Sequence, residues 1–394
     1  MAGRVRTFGK VPVWLVTLTA LCAMVLAGCA TVAAPQGAPP ASHPAKKLTP
    51  IHVDLNWVSN VEFSGIWWSM KKGWFKSAGI KLNGLCSSKA GPNAACVRPY
   101  DFSNTPESEN DLCVRAGKAL CIGVDDSSAV PLARQAGENN VAIWSGSQKT
   151  PFGFMTCFVP KKPKVNKKCK SNTHKNITSP KQWRGLKIGY QQDELYVPEI
   201  MLGSVGLNLS DVKPVKVTFD TSDLTTGATD AHLVFINNEP ITLKLQGVKT
   251  NVIPAYKYGM KAFYADAMFV RQSQISKYKG VLKKFVSAVD RGWKYAMHHP
   301  KSTANLVVHK YFPTSEGGGP GALKQQQIEI NQFAKTLSRD SKGRINGRMT
   351  LGRWKTIIHD LKTYPGSIGG GPLLTANIKA KSCFTDQFAP PGAK

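Results

Sequence analysis

Polar and aromatic side chains that could hold a small organic molecule gather just after the first predicted strand. An indole ring can stack on a heteroaromatic ligand, and amide or carboxylate groups can bond its amines. Each polar residue could instead cap a turn, and the indole could belong to the core. Where a serine begins a helix, the backbone amides there could donate to an anionic or carbonyl group of a ligand, or the serine could simply cap the helix. The candidates are Asn56, Trp57, Asn60, Glu62 and Ser64.

Similar groups follow three later strands, where ligands of α/β proteins bind. Glu239 is the carboxylate that we expect to meet a protonated or amino-bearing ligand, with a surface salt bridge as the alternative. Trp144, with Phe152, is expected to form a second aromatic wall. The strand-end candidates are Asp125, Ser127, Tyr190, Glu194, Asn238 and Glu239.

Catalytic and metal-binding patterns are missing from the sequence. It contains no Gly-x-Ser-x-Gly, His-Glu-x-x-His or Walker sequence. The adjacent His298 and His299 would point to different faces of a helix, which disfavours a shared metal ion. We therefore expect a binding protein without catalytic residues, metal or cofactor; a hydrolase or transferase that uses the same cleft stays a minor alternative.

The predicted elements alternate between strands and helices, which is typical of a layered α/β domain. A lysine-rich stretch at 158–181 interrupts the alternation and predicts an exposed basic hairpin. The chain is mostly helical from 280 to about 363. Strands are predicted at 51–56, 120–124, 141–144, 186–190, 215–219, 231–235, 251–253 and 267–270, and helices at 64–76, 111–116, 128–136, 197–205 and 280–298.

The N-terminus has the features of an export signal. Basic residues precede an apolar stretch, which ends in Leu26-Ala27-Gly28-Cys29. This ending resembles a bacterial lipobox, which implies cleavage after residue 28 and lipidation of Cys29; an ordinary cleaved signal and an uncleaved anchor are the alternatives. Residues 29–50 contain five prolines and predict an extended tether.

The formal charge of +28 comes from 52 basic and 24 acidic residues. For an exported protein this charge favours anionic lipid headgroups or surface polymers over nucleic acid. The basic hairpin is the segment that we expect to dock on such a surface. Most of the charge is equally consistent with a solvated surface that has no partner.

The nine cysteines fit an oxidising compartment. Their spacings contain no Cys-x-x-Cys, which disfavours zinc and redox motifs. We expect disulfides between neighbours in the sequence and an unpaired Cys383, although spacing cannot fix the connectivity. The expected pairs are Cys86–Cys96, Cys113–Cys121 and Cys157–Cys169.

One long segment carries a family resemblance. A strand leads through Leu55-Asn56-Trp57 and Gly65-Ile66 into a helix that ends with Lys72-Gly73-Trp74-Phe75. It resembles the start of ABC-transporter substrate-binding proteins of the thiamine-pyrimidine-precursor (NMT1/THI5-like) or nitrate–sulfonate–taurine type. Stretches at 116–128, 227–240 and 285–300 resemble later parts of the same family.

The resemblance implies a periplasmic-binding-protein type II fold, in which two α/β lobes are joined by a hinge and enclose a cleft. Lobe one would comprise 51–150 and 256–394, and lobe two 151–255. It also implies a monomeric, lipid-anchored receptor on the outer face of a bacterial membrane, with a small-molecule ligand and an ABC permease as partners. A cell-surface sensor or scaffold of the same fold is the alternative.

Two residues depart from the pattern of members that bind pyrimidine precursors. Ser59 replaces an expected proline, and Phe63 replaces an expected histidine. The change at Phe63 exchanges a polar ligand contact for an apolar ring. A more apolar small molecule, aromatic or heteroaromatic, is therefore as consistent with the sequence as the pyrimidine precursor itself.

Overall fold

The computed structural model describes residues 47–55, 59–86, 120–160, 168–173, 175–191, 194–218, 220–311, 321–339, 347–365 and 371–389. These ranges belong to one compact unit, Lys46–Lys394. The expected signal segment, Cys29 and nearly all of the tether lie outside the described residues. None of the helices in the described ranges has the length and hydrophobicity needed to cross a bilayer.

Ten strands lie in the described ranges, arranged in two five-stranded sheets. The strands are β1 (Thr49–Leu55), β2 (Ile80–Cys86), β3 (Leu120–Asp125), β4 (Asn140–Ser147), β5 (Phe152–Cys157), β6 (Lys187–Gln191), β7 (Lys213–Val217), β8 (Ala231–Phe235), β9 (Thr250–Pro254) and β10 (Ala265–Arg271). The first sheet has the order β2-β1-β3-β10-β4, and the second has the order β7-β6-β8-β5-β9.

Both sheets are mixed. In the first, β1 runs parallel to β2 and β3, while β10 runs antiparallel to β3 and β4. In the second, β6 runs parallel to β7 and β8, while β5 runs antiparallel to β8 and β9. The chain crosses between sheets after β4 and returns before β10. This arrangement confirms the predicted fold class of two α/β lobes.

Helices cover the sheets and explain why β3, β4 and β5 are buried along their whole length. The α-helices of the described part are α1 (Ser64–Lys71), α2 (Trp74–Ser77), α3 (Ala129–Gln135), α4 (Tyr196–Gly203), α5 (Ser222–Thr225), α6 (Glu239–Leu245), α7 (Gln272–Lys277), α8 (Lys279–His298), α9 (Pro300–Lys310), α10 (Ala322–Gln332) and α11 (Leu351–Thr363).

The helix predicted over 64–76 is divided in the structure. Gly73 adopts a left-handed conformation, with φ of 68°, and separates α1 from α2. Strands β2 and β5 and helices α5, α6 and α7 were not predicted. The predicted helix at 111–116 lies outside the described residues. The other predicted strands and helices are present with ends shifted by a few residues.

Helices α1 and α8 approach each other closely at two glycines. A Cβ atom on Gly292 would lie 2.1 Å from the Gly65 carbonyl oxygen. The Ser69 hydroxyl donates to the Ala288 carbonyl at 2.7 Å across the same interface. The contact helps to enclose the first core, whose large side chains include Trp67 and Phe285.

Helix α11 packs in a second core together with residues of the second sheet. Trp354 and Ile357 of this helix belong to the same buried cluster as Phe154 and Leu233. The C-terminal part of the chain therefore contributes to the core behind the second sheet.

One expected disulfide is present. Cys157 and Cys169 are bonded, with 5.6 Å between their Cα atoms. Cys383 is buried and forms no disulfide with a described residue, and burial raises the pKa of its thiol to about 11. The other two expected pairs involve Cys96 or Cys113, which lie outside the described residues. Residues 161–167 and 174 of the expected basic hairpin also lie outside them.

Candidate functional site

The junction after β1 fixes a buried carboxyl group. Asn60 caps a short 3-10 turn, and its Oδ1 accepts from the Glu62 amide at 2.8 Å. Its Nδ2 donates to Glu62 Oε2 at 3.4 Å. Glu62 is only 2% exposed, and burial raises the pKa of its carboxyl. The polar turn expected from the sequence therefore positions a protonatable group beneath the surface.

The junction between β3 and α3 holds a second acid. Asp126 Oδ1 accepts from the Ser128 amide at 3.1 Å and from the Ser128 hydroxyl at 3.2 Å. Burial outweighs these bonds and raises the Asp126 pKa to about 6. The neighbouring Ser127 bonds the segment that leads into β10: its hydroxyl accepts from the Tyr264 amide at 3.0 Å.

A third acid begins α6 of the second lobe. Glu239 Oε2 accepts from the Phe235 amide at 2.9 Å, which folds the side chain back over the end of β8. Burial raises the Glu239 pKa to about 7, and the charge of Glu62 contributes in the same direction. Two carboxyls that follow strands of different sheets therefore influence each other.

Asp266 lies at the start of β10, where the chain returns from the second sheet to the first. Its φ is 50°, and it is the one non-glycine residue with a positive φ within the described ranges. Such a conformation costs energy and is found most often at functional sites. No N–H or O–H group of those ranges donates to its carboxylate oxygens. Burial raises its pKa well above the usual range, and nearby Glu62 raises it further. A proton shared between the two carboxyls would relieve their repulsion.

Helix α10 adds a fifth acid and joins the two lobes. Glu329 Oε1 accepts from Asn237 Nδ2 of the second lobe at 3.0 Å. Its Oε2 accepts from Gln326 Nε2 at 2.9 Å, and Gln326 Oε1 accepts from the Val61 amide of the first lobe at 2.8 Å. Burial raises the Glu329 pKa well above its usual value, with Glu62 and Glu239 contributing.

We call Glu62, Asp126, Glu239, Asp266 and Glu329 the acidic cluster. None of its carboxyls forms an ion pair with a lysine, arginine or histidine that the structure describes. The charges of its members raise the pKa values of Glu239, Asp266 and Glu329, although the chain as a whole carries +28. Such a site favours hydrogen-bond donors or a positive charge and disfavours an anion.

Aromatic rings lie beside Asp126. Tyr196 Oη is 3.5 Å from Ser128 Oγ, and the Asp126 charge helps burial to raise the tyrosine pKa. The Tyr196 ring contacts Phe152 at 6.5 Å and Phe263 at 6.2 Å between centroids. Phe152 also meets Phe235 at 5.1 Å. This aromatic group provides an apolar wall close to the acidic cluster.

Trp144, expected in the same wall, packs elsewhere. It is 2% exposed within the first core, and a Cβ on Gly347 would lie 1.8 Å from its Nε1 atom. That nitrogen donates to no acceptor among the residues described. The structure thus separates the two rings expected to act together.

The remaining predicted residues divide into three groups. Glu62 and Glu239 are members of the acidic cluster, Asn60 bonds Glu62, and Asn238 Oδ1 accepts from Gln325 Nε2 of α10 at 2.7 Å. Ser64 donates to the Val61 carbonyl at 2.6 Å, as a turn residue would. In the third group, Asp125 and Glu194 both raise the Tyr196 pKa, and Tyr190 is buried at the end of β6. Asn56 and Trp57 lie outside the described residues.

Asp266, Gln326 and Glu329 were not among the site residues predicted from the sequence. A charged residue inside the apolar run of β10 is a signal that could have identified Asp266. Glu329 and Gln326 occupy a polar helix in which nothing local distinguishes them from solvent-facing residues.

Two α/β lobes with a polar site at facing strand ends define the class of periplasmic binding proteins. The structure is similar to the periplasmic sulfonate-binding protein SsuA from Methylobacillus flagellatus, with a TM-score of 0.57 and 12% identity over 87% of this chain and 93% of that one. It is also similar to the desulfurization enzyme DSZB, with a TM-score of 0.50 and 12% identity over 86% and 97%.

The family described as NMT1/THI5 like matches residues 102–303, and the chain belongs to this family. A curated relative is the riboflavin-binding protein RibY of Chloroflexus aurantiacus. It is 22% identical over 392 residues, which cover 96% of this chain and 98% of that protein.

Proposed function

We propose that this protein is an extracytoplasmic solute-binding lipoprotein of an ABC importer, and that it captures a flat heteroaromatic molecule rich in hydrogen-bond donors. Family membership and the similarity to SsuA and RibY support the transport role. Cys29 would carry the lipid, residues 29–50 would form the tether, and a permease would receive the ligand from the monomeric receptor.

The acidic cluster is the observation that supports this ligand class. A sulfonate, which the name of SsuA implies for that protein, would bring a negative charge toward five carboxyls that lack a described cationic partner. Hydroxyl and ring N–H groups would instead donate to these carboxyls and favour their ionised forms. A flavin, the ligand in the name of RibY, combines such donors with a flat ring system.

The aromatic group beside Asp126 fits the same ligand class. Phe152 contacts both Tyr196 and Phe235, and Tyr196 Oη lies 3.5 Å from the Ser128 hydroxyl that donates to Asp126. Stacking on such rings contributes affinity for uncharged flat molecules. The carboxyls would then select those flat molecules that carry hydrogen-bond donors. A flavin or an aminopyrimidine would satisfy both requirements, and an aliphatic sulfonate would satisfy neither.

Ligand titration tests the proposal. Riboflavin, an aminopyrimidine precursor and taurine are titrated into purified protein, with flavin fluorescence for the first and calorimetry for all three. We expect one-to-one binding of riboflavin or the aminopyrimidine and no binding of taurine. Tight binding of taurine, or turnover of a bound ligand, would contradict the proposed receptor.

A matched pair of variants locates the site. Glu239→Gln keeps the hydrogen bond from the Phe235 amide but removes the charge, so we expect at least tenfold weaker binding, about the contribution of one charged hydrogen bond. Asp220→Asn changes an exposed acid whose partners are Ser222 atoms and serves as the control. Equal affinities of the two variants would place the ligand away from the acidic cluster.

A further inference from the structure

A second concave site lies between the α1–α2 segment and the C-terminal half of α8, and it shares no residue with the acidic cluster. Its volume is about 500 Å³. The pocket is basic and aromatic where the first site is acidic, and nothing in the proposed solute binding uses it. We call it the basic–aromatic pocket; its lining includes Lys72, Trp74, Arg291, Lys294, Tyr295 and His299.

Two cations of this pocket are held on aromatic rings. The Arg291 guanidinium lies 4.1 Å from the centre of the Trp74 ring, and Lys72 Nζ lies 4.6 Å from the centre of the Tyr295 ring. Neither forms an ion pair with a carboxylate in the described ranges, whereas Lys294 bonds Asp290 at 2.7 Å. The rings fix these charges in place and leave their N–H groups for an external anion.

Two histidines at the end of α8 have ring orientations that are fixed by backbone carbonyls. Nδ1 of His298 lies 2.7 Å from the Lys294 carbonyl, and Nδ1 of His299 lies 2.8 Å from the Tyr295 carbonyl. A carbonyl can only accept, so Nδ1 carries the proton, and Nε2 donates to an anion when the imidazole is in its positively charged form. His299 also stacks on Tyr295, with 4.0 Å between ring centres.

An exposed apolar side chain adjoins the pocket in the sequence. Met70 is 37% exposed, and among the large apolar residues of the described ranges only Val252 is more exposed. Lys71 and Lys76 are exposed on the same segment. Exposed apolar and aromatic side chains among basic residues are typical of surfaces that adsorb to anionic membranes.

We propose that the basic–aromatic pocket docks on an anionic lipid bilayer and receives a lipid phosphate between Lys72, Arg291 and His299. Met70 and Trp74 would enter the headgroup region, a contact that a soluble phosphate or polyanion does not offer. The docking does not depend on the solute in the cleft. It would orient the protein on a membrane beyond what a flexible tether achieves.

Vesicle binding by residues 46–394 tests the docking without the N-terminal segment, because both sheets and both main cores lie within this compact unit. The vesicles are phosphatidylcholine with and without phosphatidylglycerol. Lys72→Gln combined with Arg291→Gln is expected to weaken binding to the anionic vesicles about thirtyfold, since each basic residue near such a surface contributes about fivefold. The control combines Lys283→Gln with Lys284→Gln, which removes the same charge from exposed positions of α8, and should retain nearly full binding.

Several results would overturn the docking. Equal losses in both double variants would show diffuse attraction of a basic protein, and equal binding to the two vesicle types would remove the role of lipid charge. Displacement by inorganic phosphate at constant ionic strength would identify a site for free phosphate instead. Met70→Ser should weaken binding at low and high salt alike; unchanged binding of this variant would exclude insertion into the bilayer.

Discussion

Replacing Glu239 by glutamine should change how the stability of the ligand-free protein depends on pH. Burial raises the pKa of this carboxyl from 4.5 to about 7. Because the folded-state pKa is the higher one, the protonated side chain favours folding. Its contribution is fully present below about pH 4.5 and is lost as the pH rises through about 7.

The shift between those two pKa values corresponds to at most about 3 kcal/mol of unfolding free energy. Glutamine resembles the protonated acid and can still accept from the Phe235 amide. Relative to wild type, Glu239→Gln should therefore gain stability between pH 5 and pH 8 by an amount approaching ~3 kcal/mol.

Urea unfolding, followed by circular dichroism at several pH values, measures this difference. Asp220→Asn is the control. Hydrogen bonds from Ser222 lower the pKa of this exposed acid, so Asp220 stays ionised from pH 5 to pH 8 and the stability difference from wild type should not change over that range. A constant difference between wild type and Glu239→Gln from pH 5 to pH 8 would refute the placement of Glu239 in a poorly solvated acidic site.

Three further predictions concern binding and packing. Binding of riboflavin or an aminopyrimidine should release protons, because hydrogen-bond donors of the ligand favour the ionised form of the buried carboxyls. The calorimetric binding enthalpy should then differ between buffers of different ionisation heat. Identical enthalpies would contradict the proton release. Gly292→Ala should destabilise the protein by about 3 kcal/mol or more in thermal unfolding, because the new Cβ would clash with the Gly65 carbonyl. Gly280→Ala on the same helix is the control: its Cβ would lie in open space, so the variant should be neutral or slightly stabilised. Cys157→Ser with Cys169→Ser should cost about 3 kcal/mol in urea unfolding, given the 12-residue separation, and an unchanged midpoint would show that the disulfide does not constrain the unfolded chain.

Much of the fold could be predicted because strand and helix periods alternate clearly along the chain. Strand β5 was missed since Phe152–Cys157 is buried throughout and shows no polar alternation. Helix α6 was missed because it begins with Glu239-Pro240, which reads as a turn, although proline is favoured in the first turn of a helix. The helix predicted over 64–76 includes Gly73, and the division into two helices at this residue was not predicted.

The candidate site was predictable only where it is local. Asn60, Glu62 and Glu239 each follow a strand within a few residues, so the chain itself indicates their position. Asp266 and Glu329 become neighbours of Glu62 only after β10 returns from the second sheet and α10 spans both lobes. Such proximity depends on tertiary folding, which a single sequence does not display.

The contrast between a cationic exterior and an acidic interior has a kinetic consequence. A chain of +28 repels a cationic solute at long range, even though the acidic cluster would hold it once inside. It attracts anions that the cluster then rejects. A neutral, donor-rich molecule meets neither barrier, so its association rate should be nearly independent of ionic strength, while that of a cation should increase as salt screens the repulsion.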